Sequence, residues 1–329
     1  MKFRTEIEST PLKAGIDYGT EIFTVGSCFA QNIAQRMLCA KFRVTTNPTG
    51  ILFNPASIAQ ALTAFAEQRV DGSGRIVSRG DGFVSLDCHS DLIGSTADEA
   101  LNIYQSAIYK GHKALCAADC VIITFGTAWV YEHKATGAIV ANCHKLPQSE
   151  FIRRRLSVAE ICNLFRPLME GILSGKQVIF TVSPVRHTAD GLAENSLSKA
   201  TLRVAIEELC SSYDNAEYFP AYEIVTDDLR DYRFYAEDMV HPTQQAVEYI
   251  WDRFADAALT ADAKALLPKV EKIVSAAAHR PFNPSSNEYR SFCSRYLAEA
   301  KALSLIDFSA ECAIFEQYSK YKLVHLLVI

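Results

Sequence analysis

The sequence predicts an α/β protein in which a parallel sheet lies between two layers of helices, a three-layer α/β/α sandwich. Short runs of β-branched and aromatic residues alternate with longer stretches whose apolar residues recur every three or four positions, which is the pattern of βαβ units. Two of the short runs are almost continuously apolar, as expected for strands covered on both faces. The 329 residues, 49% of them apolar, are enough to build a buried core.

Five short runs predict the strands of this sheet. They are Glu21–Val25, Phe42–Thr46, Asp119–Phe125, Gln177–Val182 and Glu217–Tyr222. The helices that follow the first, fourth and fifth runs are marked by apolar residues at helical spacing. These residues are Phe29, Ile33 and Met37, then Leu202, Ile206 and Leu209, then Val247, Ile250, Trp251 and Phe254.

Two regions do not follow this alternation. Residues from about 55 to 115 are too long for a simple crossover and predict an insertion. Beyond Thr260 the pattern is helical without strands, and it is interrupted by the proline- and serine-containing segment Arg280–Arg290. We therefore expect a domain over residues 1–260 with an insertion at about 55–115, and a C-terminal helical appendage over 261–329.

Composition and motifs exclude several classes of protein. The formal charge of −5, with neither part of the chain strongly basic, argues against nucleic-acid binding. No apolar run approaches the length of a membrane span, and the first residues do not resemble a signal peptide, so we expect a cytoplasmic protein without membrane contact. Ten scattered cysteines without a CxxC pair indicate reduced thiols.

We expect no cofactor and no metal. No dinucleotide fingerprint follows the first strand, and Gly171–Gln177 lacks the spacing of a phosphate-binding loop. His89 lies among carboxylates in the segment Asp87–Asp91, but no second histidine at helical spacing accompanies it, and such clusters are usually surface loops.

Ser27 is the first candidate for chemistry. It stands between the first predicted strand and a helix that begins at once, and Gly26 allows a tight turn before it. Ligands bind at the carboxyl ends of parallel strands, and the free N–H groups of a helix N-terminus can stabilise a developing oxyanion. The alternative is that Ser27 is only a helix N-cap. Cys28 is a second possible nucleophile, which we rank below Ser27 because its side chain is expected to face the helix packing.

Asp238 and His241 are the second candidate pair. They are three residues apart and directly precede Pro242 at a predicted helix start. A carboxylate at this distance can orient an imidazole and stabilise its protonated form. Together with Ser27 they give a workable chain order for nucleophilic acyl transfer. The alternative is that both residues only accompany the start of a helix.

The chain also resembles a known family. The residues Gly26-Ser27-Cys28-Phe29-Ala30 spell the name motif of the GSCFA-domain proteins, a branch of the SGNH/GDSL-type hydrolase superfamily. The likeness extends over about Phe23 to Phe254. It includes Asn47–Pro55, Phe125–Glu132, Asn142–Pro147, Ser183–Leu202 and Asp238–Pro242. The resemblance implies a flavodoxin-like fold and an esterase site in which Ser27 is the nucleophile, His241 the general base and Asp238 the residue that orients it.

The sequence departs from the superfamily at the oxyanion hole. The third superfamily block carries an asparagine whose side chain is a donor, but Gly126-Thr127-Ala128-Trp129 stands at that place here. We therefore expect the hole to use the backbone N–H of Ser27 or Cys28, that of Gly50, and Thr127 or Asn142. Gly50 could equally be an ordinary turn glycine.

Two further residues, Arg186 and His187, follow the fourth strand and are expected at the ligand-binding edge. Arg186 could hold an anionic group or pair with Asp190 or Glu194. The predicted function is a serine esterase acting on a small-molecule or carbohydrate ester, by analogy an O-acetylated sugar. Two alternatives are an acyltransferase that uses the same triad and a ligand-binding module that has lost turnover.

Overall fold

The computed structural model describes residues 4–70 and 75–319. The strands, in chain order, are β1 (Glu21–Gly26), β2 (Arg43–Thr46), β3 (Ile76–Arg79), β4 (Gly82–Ser85), β5 (Ile93–Gly94), β6 (Cys120–Phe125), β7 (Trp129–His133), β8 (Ala138–Val140), β9 (Phe151–Arg155), β10 (Gln177–Val182) and β11 (Ala216–Phe219). The α-helices are α1 (Cys28–Cys39), α2 (Pro55–Glu67), α3 (Ala97–Ala117), α4 (Val158–Glu170), α5 (Leu192–Ser212), α6 (Ala221–Glu223), α7 (Gln244–Ala258), α8 (Ala261–Ala278), α9 (Asn287–Ala302) and α10 (Ser309–Ser319).

The central sheet has five parallel strands in the order β11-β10-β6-β1-β2. The predicted α/β fold class is therefore confirmed, and β10 has the predicted bounds. The fifth strand ends earlier than predicted, at Phe219, because Pro220 has no N–H for a sheet hydrogen bond and α6 begins at Ala221.

Side chains alternate between the two faces of this sheet and build two cores. Ile22, Ile122 and Ile179 pack on one face with α1, α7 and the C-terminal helices. Phe23 and Ile123 pack on the other face with α2, α3, α4 and α5. Helices thus cover both faces, as the apolar strands predict.

The predicted insertion contains more of the core than the sequence suggests. Helices α2 and α3 pack on the sheet through buried residues such as Leu62, Phe65 and Ile108, so they belong to one helical layer. Between them lies a small antiparallel sheet of β3, β4 and β5. A second small sheet, with the order β8-β7-β9, stands between β6 and α4 and was not predicted.

The C-terminal helices are joined to the main domain by a continuous hydrophobic core. Val270, Tyr289 and Phe315 lie in the same buried cluster as residues of α1 and α7. An ion pair adds to this contact, because Arg36 of α1 lies 3.1 Å from Glu271 of α8. All ten cysteines are free thiols. Within residues 4–70 and 75–319, no helix is long and apolar enough to cross a membrane.

Candidate active site

Ser27 lies at the carboxyl edge of the sheet, between the end of β1 and the start of α1. Gly26 pairs with Thr124 on β6, and Val182 on β10 pairs with Phe125. The chain can make this close approach because Gly26 has φ +143°, and a Cβ at this position would overlap the carbonyl oxygen of Thr124. Ser27, Gly126 and Ser183 therefore follow the ends of three adjacent strands.

The Ser27 hydroxyl is buried and free. The residue is 1% exposed, and its Oγ has no hydrogen-bond partner in the described part of the chain. Although Ser27 occupies the N-cap position of α1, its side chain makes no capping hydrogen bond. The side chain therefore does not perform the hydrogen bonding of an N-cap, the alternative that the sequence left open.

Cys28 is less suited to be the nucleophile. Burial raises the pKa of its thiol, while the backbone N–H groups of Phe29 and Cys28 and the charge of Lys199 act in the opposite direction. The thiolate is the reactive form of cysteine, so a raised pKa lowers its reactivity at neutral pH.

Asp238 and His241 form a hydrogen-bonded pair on a tight loop before α7. Asp238 Oδ2 lies 2.6 Å from His241 Nδ1, and Asp238 Oδ1 accepts the backbone N–H groups of Val240 and His241, each at 2.9 Å. The backbone hydrogen bond from His241, followed by the bonds from its side chain and from Val240, lowers the pKa of Asp238 to about 2. An ionised carboxylate only accepts, so Nδ1 carries the proton and Nε2 remains a proton acceptor.

Arg186 holds this loop against the end of β10. Its backbone N–H donates to Val240 O at 3.2 Å, and its Nη1 donates to Met239 O at 3.4 Å. The guanidinium stacks 3.8 Å from the ring centre of Tyr235. In the described side chains Arg186 forms no ion pair with Glu194, and the side chain of Asp190 lies outside them. Arg186 thus positions the loop that carries His241.

His187 lies over the end of β6. A Cβ added to Gly126 would be 3.5 Å from His187 Nε2, and the imidazole packs edge-on against Phe53. Burial, then the charges of Lys199 and His241, lowers the pKa of His187 to about 4, so the ring is neutral at neutral pH. No hydrogen bond engages its ring nitrogens within the described ranges; only its backbone N–H is held, by Asn195 Oδ1.

Most of the backbone N–H groups considered for an oxyanion hole donate to other carbonyl oxygens, but no backbone carbonyl of the described residues accepts the N–H of Cys28. The N–H of Gly50 donates to Asn47 O at 2.8 Å, in a turn where Gly50 has φ +79°. The N–H groups of Gly126 and Thr127 both donate to Phe53 O, at 2.8 and 2.9 Å. The N–H of Ser27 donates to Thr124 O at 3.3 Å.

The two predicted side-chain donors are also paired. Thr127 Oγ1 lies 3.1 Å from Ser198 Oγ and accepts from the Trp129 N–H. Asn142 Nδ2 donates to Ser90 Oγ, and its Oδ1 accepts from the His144 N–H. The second N–H of Asn142 Nδ2 has no partner among the described residues.

Lys199 on α5 is a site residue that the sequence reasoning missed. Its Nζ donates to Gly126 O and Ser183 O, each at 2.6 Å, and thereby joins the ends of β6 and β10. The side chain is 2% exposed, and no acidic side chain of the described residues forms a salt bridge with it. Burial lowers the pKa of Lys199 from 10.5 to about 7. The signal in the sequence was its position three residues before Leu202, which places Lys199 on the buried face of the helix.

The depressed pKa of Lys199 predicts a pH-dependent stability. Between about pH 7 and its ordinary value, the unfolded chain binds a proton that the folded chain does not, so the free energy of unfolding rises with pH by about 1.4 kcal/mol per unit. We expect the stability of the wild type, relative to Lys199→Met, to increase by about 3 kcal/mol from about pH 7.5 to about pH 9.5 in urea unfolding. Lys110→Met, at an exposed lysine of α3, should show no such change. Parallel curves for wild type and Lys199→Met would contradict this prediction.

A cleft of about 440 Å³ opens beside His187. Three predicted site residues, Thr127, Asn142 and His187, line it, together with aromatic residues of β7 and β9. Ser27, Asp238 and His241 are not among its lining residues. The side chain of His187, which both lines the cleft and lies over Gly126, connects the cleft to the edge of the sheet.

The family comparison matches most of the chain. Residues 21–254 match the model of the GSCFA family. The chain belongs to the GSCFA family. Residues 270–320 match the C-terminal domain of GSCFA domain proteins, in agreement with the helices that follow α7.

No curated protein matches this GSCFA protein in sequence. A solved structure described as "a putative platelet activating factor from Streptococcus pneumonia" is similar, with 10% sequence identity and a TM-score of 0.38, over 73% of this chain and 84% of the other.

Proposed function

We propose that this GSCFA protein is a serine esterase with Ser27 as its nucleophile. The main support is the buried Ser27 hydroxyl, which has no hydrogen-bond partner among the described residues. It lies at the edge of the sheet to which the loop bound to Arg186 also brings His241 and Asp238. A catalytic role is one recognised reason for a buried polar group without a partner, and ligands bind at this edge of a parallel sheet.

In the proposed reaction, Ser27 Oγ attacks the ester carbonyl and His241 Nε2 accepts its proton. Asp238 stabilises the imidazolium that forms, and the alcohol leaves with the proton returned by His241. Water then attacks the acyl-enzyme by the same route and releases the acid. Ser27 and His241 are not hydrogen-bonded to each other in the free protein, and such bonds often form only when substrate binds.

We place His187 in the oxyanion hole, in the role of the missing asparagine. Its neutral ring can donate from Nε2, which lies over Gly126, and its ring nitrogens have no hydrogen-bond partner within the described residues. The positive charge or dipole of Lys199, which binds the carbonyl oxygen of Gly126, adds to the stabilisation of negative charge at this edge.

A fluorophosphonate probe tests the nucleophile directly. Attack by Ser27 forms an O–P bond and releases fluoride, so we expect one labelled peptide that contains Ser27 and complete loss of labelling in Ser27→Ala. Cys28→Ala is the matched control and should still be labelled. Labelling that persists in Ser27→Ala would contradict the proposal, and no labelling of the wild type at any pH would favour the ligand-binding module. Acyl transfer to an added sugar, rather than release of the acid, would favour the acyltransferase.

A further inference from the structure

We infer that the cleft beside His187 binds an apolar group of the ester, an alkyl or aryl group of several carbon atoms. This inference rests on the proposed esterase function for the position of the ester bond. It assigns a class of substrate to the cleft, because the chemistry of the lining side chains determines which groups bind there.

The walls of the cleft are mainly aromatic and aliphatic. Trp129 and Tyr131 of β7, Val140 of β8 and Phe151 of β9 come from the second small sheet, and Phe53 closes the side towards His187. The Trp129 ring is held by the guanidinium of Arg153, 3.8 Å from the ring centre. Pockets with such walls gain affinity by removing apolar groups from water.

Three polar side chains of the wall have partners within the protein, whereas Trp129 Nε1 has none among the described residues, and Lys145 and Gln148 form no side-chain hydrogen bond there. Asn54 Oδ1 accepts the Ser57 N–H at 2.8 Å as the N-cap of α2. Thr127 Oγ1 and both ends of the Asn142 amide are hydrogen-bonded as described above. The aromatic and aliphatic part of the wall, rather than a lack of free polar groups, is therefore what favours an apolar group in the cleft.

The cleft is adjacent to the proposed reaction centre. The His187 ring forms part of its wall and packs on Phe53, and the same ring reaches over Gly126 at the end of β6. A carbonyl oxygen that accepts from His187 Nε2 would therefore lie next to the cleft. One of the two groups attached to that carbonyl, the acyl chain or the alcohol, can then enter it.

Two ester series distinguish these two sources of the apolar group. In one, the p-nitrophenyl esters run from acetate to octanoate; in the other, acetates of alcohols run from ethanol to octanol. In wild type, kcat/KM should rise about fourfold per buried methylene along one series. Ala141→Phe places a large side chain in the cleft. It should lower the ratio of kcat/KM for the octanoate to that for the acetate, or for octyl acetate to that for ethyl acetate, at least tenfold. A pocket exerts about this discrimination on one or two methylenes. Ala135→Phe, in the exposed turn between β7 and β8, is the control and should leave the ratio unchanged.

A binding measurement separates the failure of this inference from the failure of the esterase proposal. The chain has two tryptophans, of which Trp129 lines the cleft and Trp251 is buried in the core. Titration of Ser27→Ala with octanoate or octanol should give a saturable change in tryptophan fluorescence that Ala141→Phe abolishes. Such binding without turnover by wild type would uphold the cleft and overturn the esterase. Flat ester series in wild type, or the absence of a saturable change, would overturn the inference about the cleft.

Discussion

Replacement of His241 by alanine is expected to lower kcat/KM for a small aryl ester by about 10³- to 10⁴-fold. The reason is the geometry of the loop before α7. Asp238 holds Nδ1 at 2.6 Å and leaves Nε2 as the proton acceptor, and no other described side chain at this edge combines these properties. Without the imidazole, the Ser27 hydroxyl must transfer its proton to water, and the hydroxyl form is a weak nucleophile.

Asp238→Asn tests the same pair of residues by changing the carboxylate instead of the imidazole. The amide oxygen can still accept the N–H groups of Val240 and His241, so the loop is preserved, but the negative charge that stabilises the imidazolium is lost. We expect a decrease of about 10²-fold or more in kcat, with little change in thermal stability. His279→Ala, at an exposed histidine after α8, is a control that should retain wild-type turnover. Turnover of His241→Ala close to that of the wild type would remove His241 from the mechanism.

The main sheet could be predicted because its strands carry their own signal. The runs at β1, β6 and β10 are apolar on both faces, and apolar residues at helical spacing follow β1 and β10. The second small sheet was missed because β9, with the sequence FIRRR, has no apolar alternation of its own. It becomes a strand by pairing with β7, a long-range contact that is not visible in a local pattern.

The candidate site was predictable to a similar degree. Ser27, Asp238 and His241 stand at positions where parallel strands and helix starts place functional groups, and the structure brings their loops to the same edge through the contacts of Arg186. The oxyanion donors could not be chosen from sequence. Whether the N–H groups of Gly126 and Thr127 are free depends on the carbonyl oxygen of Phe53, which reaches them from a distant loop.

Replacement of His187 by alanine is expected to lower kcat by about 100- to 1,000-fold while KM changes little, the effect of removing one oxyanion donor. The donor acts on the oxygen only as it becomes negative, so its loss affects the transition state more than substrate binding. His187→Gln, whose amide can still donate, should recover part of the rate. A merely structural role for His187 would instead alter the melting temperature.

A boronic acid separates these roles further, because it forms a tetrahedral adduct with a serine oxygen and carries negative charge where the oxyanion would be. If His187 donates to that position, His187→Ala should weaken inhibition by the boronic acid by about the same factor as it lowers kcat, since both depend on one charge-assisted hydrogen bond. Unchanged inhibition together with reduced kcat would assign His187 to another step. Unchanged kcat would leave the oxyanion hole to the backbone N–H groups of Ser27 and Cys28, of which that of Ser27 would have to exchange the carbonyl oxygen of Thr124 for the substrate.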